Sequence, residues 1–232
     1  MLAPLRAAVR VCEKHTRSEV SSLGPRASDH PACVSSTPHI DYTRLAGEHG
    51  ASRETWDAFV CDVLVDRWLA DYARVSNWST QVLEIPQGEL TFLFDAGPTL
   101  TENRLGQGED RVVAAWGHSQ RPAGKRDRGR LAGFLPFPRQ WSGAKRDRGH
   151  FIAHAAGGGT DLNLFPQAAA LNRGCSEEGK RWRDMERYAE RHPGTPLFVC
   201  PIYDTDSWTP AALDFAILTD TGLRAERFPN RA

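Results

Sequence analysis

The sequence predicts an α+β protein built on a twisted antiparallel sheet, with a helical extension ahead of it. Three observations predict this. QVLEIPQGELTFLFDAGPT (81–99) places two apolar runs around Pro86-Gln87-Gly88, the mark of a hairpin or of two sequential strands. Near the end of the chain, strand-like runs over Pro196–Tyr203, Leu213–Thr219 and Leu223–Phe228 alternate with turn residues, the last two joined through Asp220-Thr221-Gly222. Between these groups lies a helical stretch, Lys180–Arg191, with Trp182, Met185 and Ala189 on one side and Pro193-Gly194 to stop it. Strands, a helix and further strands in that order point to α+β.

The extension comes from the first third of the chain. Residues 1–50, rich in Ser, Pro, Ala and charge, read as a poorly structured leader with at most one short helix. Between Ser52 and Val75 the residues Trp56, Val60, Val63, Leu64, Trp68 and Tyr72 recur at steps of three and four, which sets them on one helix face. That assigns 51–84 to a helical extension and 85–232 to the main domain.

Whole-chain quantities set limits on function. The 232 residues are 40% apolar and 25% charged, and 29 basic side chains balance 29 acidic ones. No global field therefore points at nucleic acid. Locally, however, nine basic residues face two acidic ones between Arg121 and Arg148, a docking site for a polyanion on a neutral protein. The five cysteines have no CxxC and no His at zinc-ligand spacing, which argues against a structural zinc, and their odd number argues against a purely intramolecular set of disulfides. Arg6 and Arg10 interrupt the first apolar stretch, so no cleavable signal peptide is read. No apolar run reaches the length of a membrane span, and the expected location is cytoplasmic or reached by a signal-independent route.

The chemistry concentrates in KRDRGHFIAHAAGGGTDLNLFPQAAALN, residues 145–172. Lys145, Arg146 and Arg148 make a basic approach to His150, which follows Gly149. Residues 148 and 150 of an extended backbone share a face, so an arginine fork for phosphate and an imidazole for water stand side by side. With an oxygen ligand such as asparagine, these types supply what phosphodiester cleavage requires: a base, cations on the phosphate and a metal for the leaving oxygen. His154 is the competing base. The glycines that follow it, and Phe151 where a zinc protease needs glutamate, reduce it to a supporting role. Gly157–Gly159 lack a P-loop ending and serve as a sharp turn. Asn163 and Asn172 bracket LFPQAAAL, read as helical because Pro166 is tolerated in a first turn and alanines propagate a helix. GKRDRGR (124–130) nearly repeats AKRDRGH (144–150), but it ends in Arg130, which cannot act as a base.

In their order, these residues resemble the DNA/RNA non-specific endonucleases, a family with a ββα-metal (His-Me finger) core. The matching pieces are Asp147-Arg148-Gly149-His150, Asn163 through Pro166-Gln167 to Leu171-Asn172 and Gly174, and Trp182 with Met185-Glu186. Tyr203, Ser207, Pro210 and Arg227-Phe228-Pro229-Asn230 are similar to the C-terminal strands of the toxin-type branch. The resemblance covers roughly residues 85–232. It implies a metal-dependent nuclease of DNA and RNA, in which His150 activates water, Asn172 holds Mg²⁺ (or Mn²⁺), Arg148 clamps phosphate and Glu186 is the acidic residue near the metal. Asp147, Gly149, Asn163 and His154 would support these groups, and Lys145, Arg146, Arg126 and Arg130 would bind substrate. A toxin role would bring an immunity protein as partner. Two departures stand out: the link over 173–181 is longer than the family's, and the family's upstream arginine falls to any of Arg121, Arg126, Arg130 or Arg139. Two other readings remain open, a nucleic-acid-binding module without catalysis and a protein-interaction domain, both using the 121–148 patch.

Overall fold

The computed structural model describes residues 10–11, 39–75, 82–96, 110–122, 124, 145–160, 162–205 and 207–231. Its frame is a seven-stranded antiparallel sheet. The strands are β1 (Arg10–Val11), β2 (Val82–Gln87), β3 (Leu90–Asp95), β4 (Arg111–His118), β7 (Pro196–Ile202), β8 (Ala212–Thr219) and β9 (Gly222–Pro229), lying side by side in that order. β5 (Arg146–His150) and β6 (Leu164–Ala168) form a separate antiparallel ribbon. The α+β reading and the antiparallel sheet hold.

The central strands are apolar on both sides because both faces are covered. Along β8, Leu213, Phe215 and Ile217 point to one core, while Ala216 and Leu218 point to the other. β7 divides the same way, Leu197 and Val199 against Phe198 and Cys200. This is the period-two alternation of a strand with two apolar environments instead of one.

One face carries α1 (Tyr42–Glu48), α2 (Trp56–Phe59), a π-helical segment (Val60–Leu64) and α3 (Val65–Val75). Asp41 caps α1 by accepting from the Arg44 amide at 3.0 Å. The buried residues Trp56, Val60, Leu64, Trp68 and Tyr72 follow one another at steps of four. On an ideal α-helix such a step drifts by about 40°. The wider π turn in the middle takes up that drift and keeps all five on the sheet. They share one core with Leu93, Val113, Trp116 and Phe198 from the strands.

The opposite face carries the ribbon, the short helix α4 (Ala169–Arg173) and α5 (Glu177–Arg191). Ser176 caps α5 by accepting from the Gly179 amide at 3.0 Å. Trp182, Met185 and Ala189 are buried against Phe215, Phe228 and the ribbon's Phe165.

The helical reading of 164–168 is corrected: these residues are β6, and helix begins only at Ala169. Pro166 pairs with Arg148 in the ribbon, and its carbonyl turns to the outer edge, where Asn230 Nδ2 donates to it at 2.9 Å. The N–H that proline lacks belongs to that same edge, so the β5–β6 ladder loses nothing. Asn230 Oδ1 also accepts from the Ala168 amide at 2.7 Å. One side chain thus takes the place of a neighbouring strand. Among the described residues, no helix is long and apolar enough to cross a membrane.

Candidate active site

β5 sets the first two groups of the site. Arg148 and His150 alternate with Asp147 and Gly149, and both line an open cleft of about 360 Å³ against α5. His150 is nearly buried. The strand must pass close to β6 here, since a Cβ on Gly149 would stand 2.2 Å from Gln167 Oε1. Glycine is what allows the Gln167 side chain to lie across the strand at this point.

The loop from Phe151 to Asn163 forms the opposite wall, and Asn163 ties its two ends together. Its Oδ1 accepts from the Ile152 amide at 2.8 Å, and its Nδ2 donates to the carbonyls of Ile152 at 2.7 Å and Gly159 at 2.9 Å. Gly158 sits inside this clasp, where a Cβ would meet Ile152 O at 1.9 Å. Both residues are therefore structural to the loop that presents His154 to the cleft. His154 Nδ1 lies 3.2 Å from Gly158 O, a contact in which Nδ1 donates to the carbonyl and Nε2 is left free of it.

α4 contributes Asn172. Its Nδ2 donates to Asp147 Oδ2 at 3.0 Å, while Arg173 grips the same carboxylate through Nε at 2.7 Å and Nη2 at 2.6 Å. The Arg173 bond first, then that of Asn172, holds the Asp147 carboxyl below its ordinary value, so it stays ionised as an acceptor. With the amide nitrogen committed to Asp147, Oδ1 is the atom of Asn172 left to meet a cation. Among the described residues no three His, Cys, Asp or Glu are grouped to hold an ion. One neutral protein oxygen fits a hard ion that keeps most of its waters, as Mg²⁺ does, and does not fit a caged structural metal.

α5 brings Glu186 into the same cleft, one turn after Trp182. Burial raises its carboxyl to about 7, against the hydrogen bond from Trp182 and the charges of Arg183 and Arg187, which lower it. Near neutral pH the group is therefore divided between its two protonation states.

The structure thus gathers Arg148, His150, His154, Asn172 and Glu186 around one cleft. Asp147, Gly149 and Asn163 stand behind them, orienting the amide, the strand and the loop. Lys145 and Arg146 do not line it. The Lys145 carbonyl accepts from the Ala169 amide at 2.9 Å, and Arg146 Nη1 donates to Asn230 O at 3.1 Å, at the ribbon's outer edge. Arg126 and Arg130 lie outside the described residues, as do Arg139 and most of the 121–148 patch. Arg121 is exposed and away from the cleft.

Sequence reasoning missed Arg173, Arg183 and Arg187, which also line the cleft. The four-residue step between Arg183 and Arg187, on either side of Glu186, was the available signal. It missed Asn230's clasp as well, for which no local signal exists. A second cavity, about 30 Å³ between α1–α3 and the sheet, is lined by Tyr42, Trp68, Cys200 and Asp214. It has room for about one water and is no substrate site.

No family model matches the chain, and no curated protein does. Among solved structures, the chain is similar to one described as "Structure of Sda1 nuclease with bound zinc ion", with 21% identity and a TM-score of 0.32. The similarity covers 38% of this chain and 39% of that one, well under half of either.

Proposed function

We propose that the protein is a metal-dependent endonuclease that hydrolyses phosphodiester bonds in DNA and RNA, with Mg²⁺ or Mn²⁺ as its cation. The observation that carries this reading is that Arg148, His150, Asn172 and Glu186, which come from three separate elements, line one open cleft. Phosphodiester hydrolysis needs those types of group within reach of one phosphorus atom.

In this reading Arg148 fixes the scissile phosphate through its planar fork. His150 takes the proton from the attacking water at the ring nitrogen that faces the cleft. Asn172, its nitrogen held by Asp147, offers Oδ1 to the cation. A bound Mg²⁺ supplies Lewis-acid stabilisation of the phosphate and of the departing oxygen. Glu186 accepts hydrogen bonds from water in the cleft when ionised and withdraws its charge when protonated. Every contact in this scheme is to backbone phosphate, so sequence preference should be low. The likeness of the C-terminal strands to the toxin-type branch extends the proposal to an effector role, with an immunity protein as partner.

The test is incubation of the purified protein with supercoiled plasmid and with total RNA, in Mg²⁺ and in EDTA. Degradation of both substrates in Mg²⁺ and of neither in EDTA is the expected result. Gel retardation of intact nucleic acid in both conditions would replace the enzyme by a binding module.

A further inference from the structure

We propose that Arg187, supported by Arg183, forms a second phosphate subsite on α5. It would hold the backbone phosphate next to the one being cleaved, so that the protein acts on polynucleotides in preference to isolated phosphodiesters. The inference rests on the nuclease reading above and adds to it the part of the substrate that lies beyond the reacting bond.

α5 presents three stripes with three different uses. Trp182, Met185 and Ala189 enter the core. A second stripe turns to β9 and is closed by ion pairs, Arg181 with Glu226 at 2.7 Å and Asp184 with Arg224 at 2.9 Å. The third stripe, Arg183, Glu186, Arg187 and Glu190, lines the cleft. The two charged stripes are not equivalent: the one on β9 is spent inside the protein.

Within the third stripe the arginines differ. Arg183 Nη1 donates to Asn172 O at 3.3 Å, and its side chain packs across Gly174, so it stands beside the metal-binding candidate and props α4. Arg187 lies one turn further along, about 6 Å up the helix axis. That step is comparable to the one between successive phosphates of a strand. Arg187 is exposed and in no ion pair among the described residues, although Asp184 and Glu190 lie three residues to either side. It lines the cleft, and its charge acts on Glu186 beside it.

The charge balance points the same way. The chain as a whole has no net charge, yet the cleft is lined by Arg148, Arg173, Arg183 and Arg187 against two glutamates. Asp147 engages Arg173, and Arg148 belongs to the reacting phosphate. Arg187 is the arginine left for a neighbouring phosphate. A diester with one phosphate, seated between Arg148 and Asn172, would not extend to it.

The experiment compares wild type, Arg187→Ala and a control, Arg181→Ala on the β9 stripe. Affinity for a single-stranded oligonucleotide is measured in EDTA over a range of salt. kcat/KM is then measured in Mg²⁺ on the same oligonucleotide and on bis(p-nitrophenyl) phosphate. Arg187→Ala should reduce the slope of log affinity against log salt by about 0.7. It should lower kcat/KM on the oligonucleotide about tenfold more than on the single-phosphate substrate, while Arg181→Ala changes none of these. An unchanged salt slope, equal losses on both substrates, or no oligonucleotide binding by wild type would each overturn the subsite. If wild type binds with the expected slope change but cleaves neither substrate, the subsite stands and the nuclease reading falls.

Discussion

On the sheet face covered by α1–α3, buried charges meet their partners inside the protein. Asp214 accepts from Tyr42 at 3.0 Å and from Arg227 Nε at 2.7 Å. Arg111, buried on β4, donates to Tyr72 at 2.7 Å and to the Thr205 carbonyl at 2.8 Å, with Tyr72 in turn bonded to Asp95. On the face covered by the ribbon and α5, Arg148, His150, Asn172 and Glu186 surround an open cleft instead. Both faces raise the pKa of an acid by burial, Tyr42 on the first and Glu186 on the second. A shifted titration therefore does not mark a site by itself. What separates the two regions is whether the groups close on one another or on a space that a ligand can enter.

The comparison can be broken from either side, and the largest effect is expected on the closed face. Asp214→Ala removes the carboxylate that accepts from both Arg227 and Tyr42 and should cost about 3–5 kcal/mol. Chemical denaturation reads this as a lower midpoint, with cleavage per folded molecule unchanged. Loss of cleavage from a protein still folded would show that the two faces are coupled.

On the open face the pattern reverses. Asn172→Ala should raise the Mg²⁺ concentration for half-maximal rate by at least about tenfold while the denaturation midpoint stays near wild type. An unchanged metal requirement would remove Asn172 from the cation's contacts. Asp147→Asn acts through Asn172 and should weaken Mg²⁺ binding, read by calorimetry, by about ten- to a hundredfold. Arg173→Ala, which leaves the Asn172–Asp147 bond in place, should do less.

Glu186 sharpens the comparison through its sign. Its folded-state carboxyl sits at about 7, above its ordinary 4.5. The folded protein therefore holds the proton more tightly than the unfolded chain, and stability is favoured below 4.5 and lost as pH rises through 7. Glu186→Gln should flatten stability against pH across that window and raise the unfolding free energy above it by about 1–3 kcal/mol. A slope unchanged by the substitution would place the carboxyl in water and not in the cleft wall.

Much of this was readable in the sequence where the signal is local. The alternation in Leu213–Thr219, the Asp220-Thr221-Gly222 turn and the Trp182, Met185, Ala189 spacing all express their structure within a few residues. Arg148 and His150 came out on one face for the same reason. β6 did not, because its strand character comes from β5 across a long loop and from Asn230, 62 residues beyond Ala168. Local propensity favoured a helix for its alanines, and pairing overrode it. The wall formed by α5 was hidden too, since Arg183 and Arg187 read as an ordinary solvated helix face until the ribbon folds opposite them.

Cleavage of phosphodiester bonds through His150 is the activity proposed for the cleft beside β5. The measurement that addresses it most directly is single-turnover cleavage of plasmid by wild type and His150→Ala, with plasmid affinity and thermal midpoint taken on the same samples. The account predicts a rate loss of about 10²–10⁴-fold with binding and midpoint nearly unchanged. Cleavage at the wild-type rate by the folded variant would contradict it.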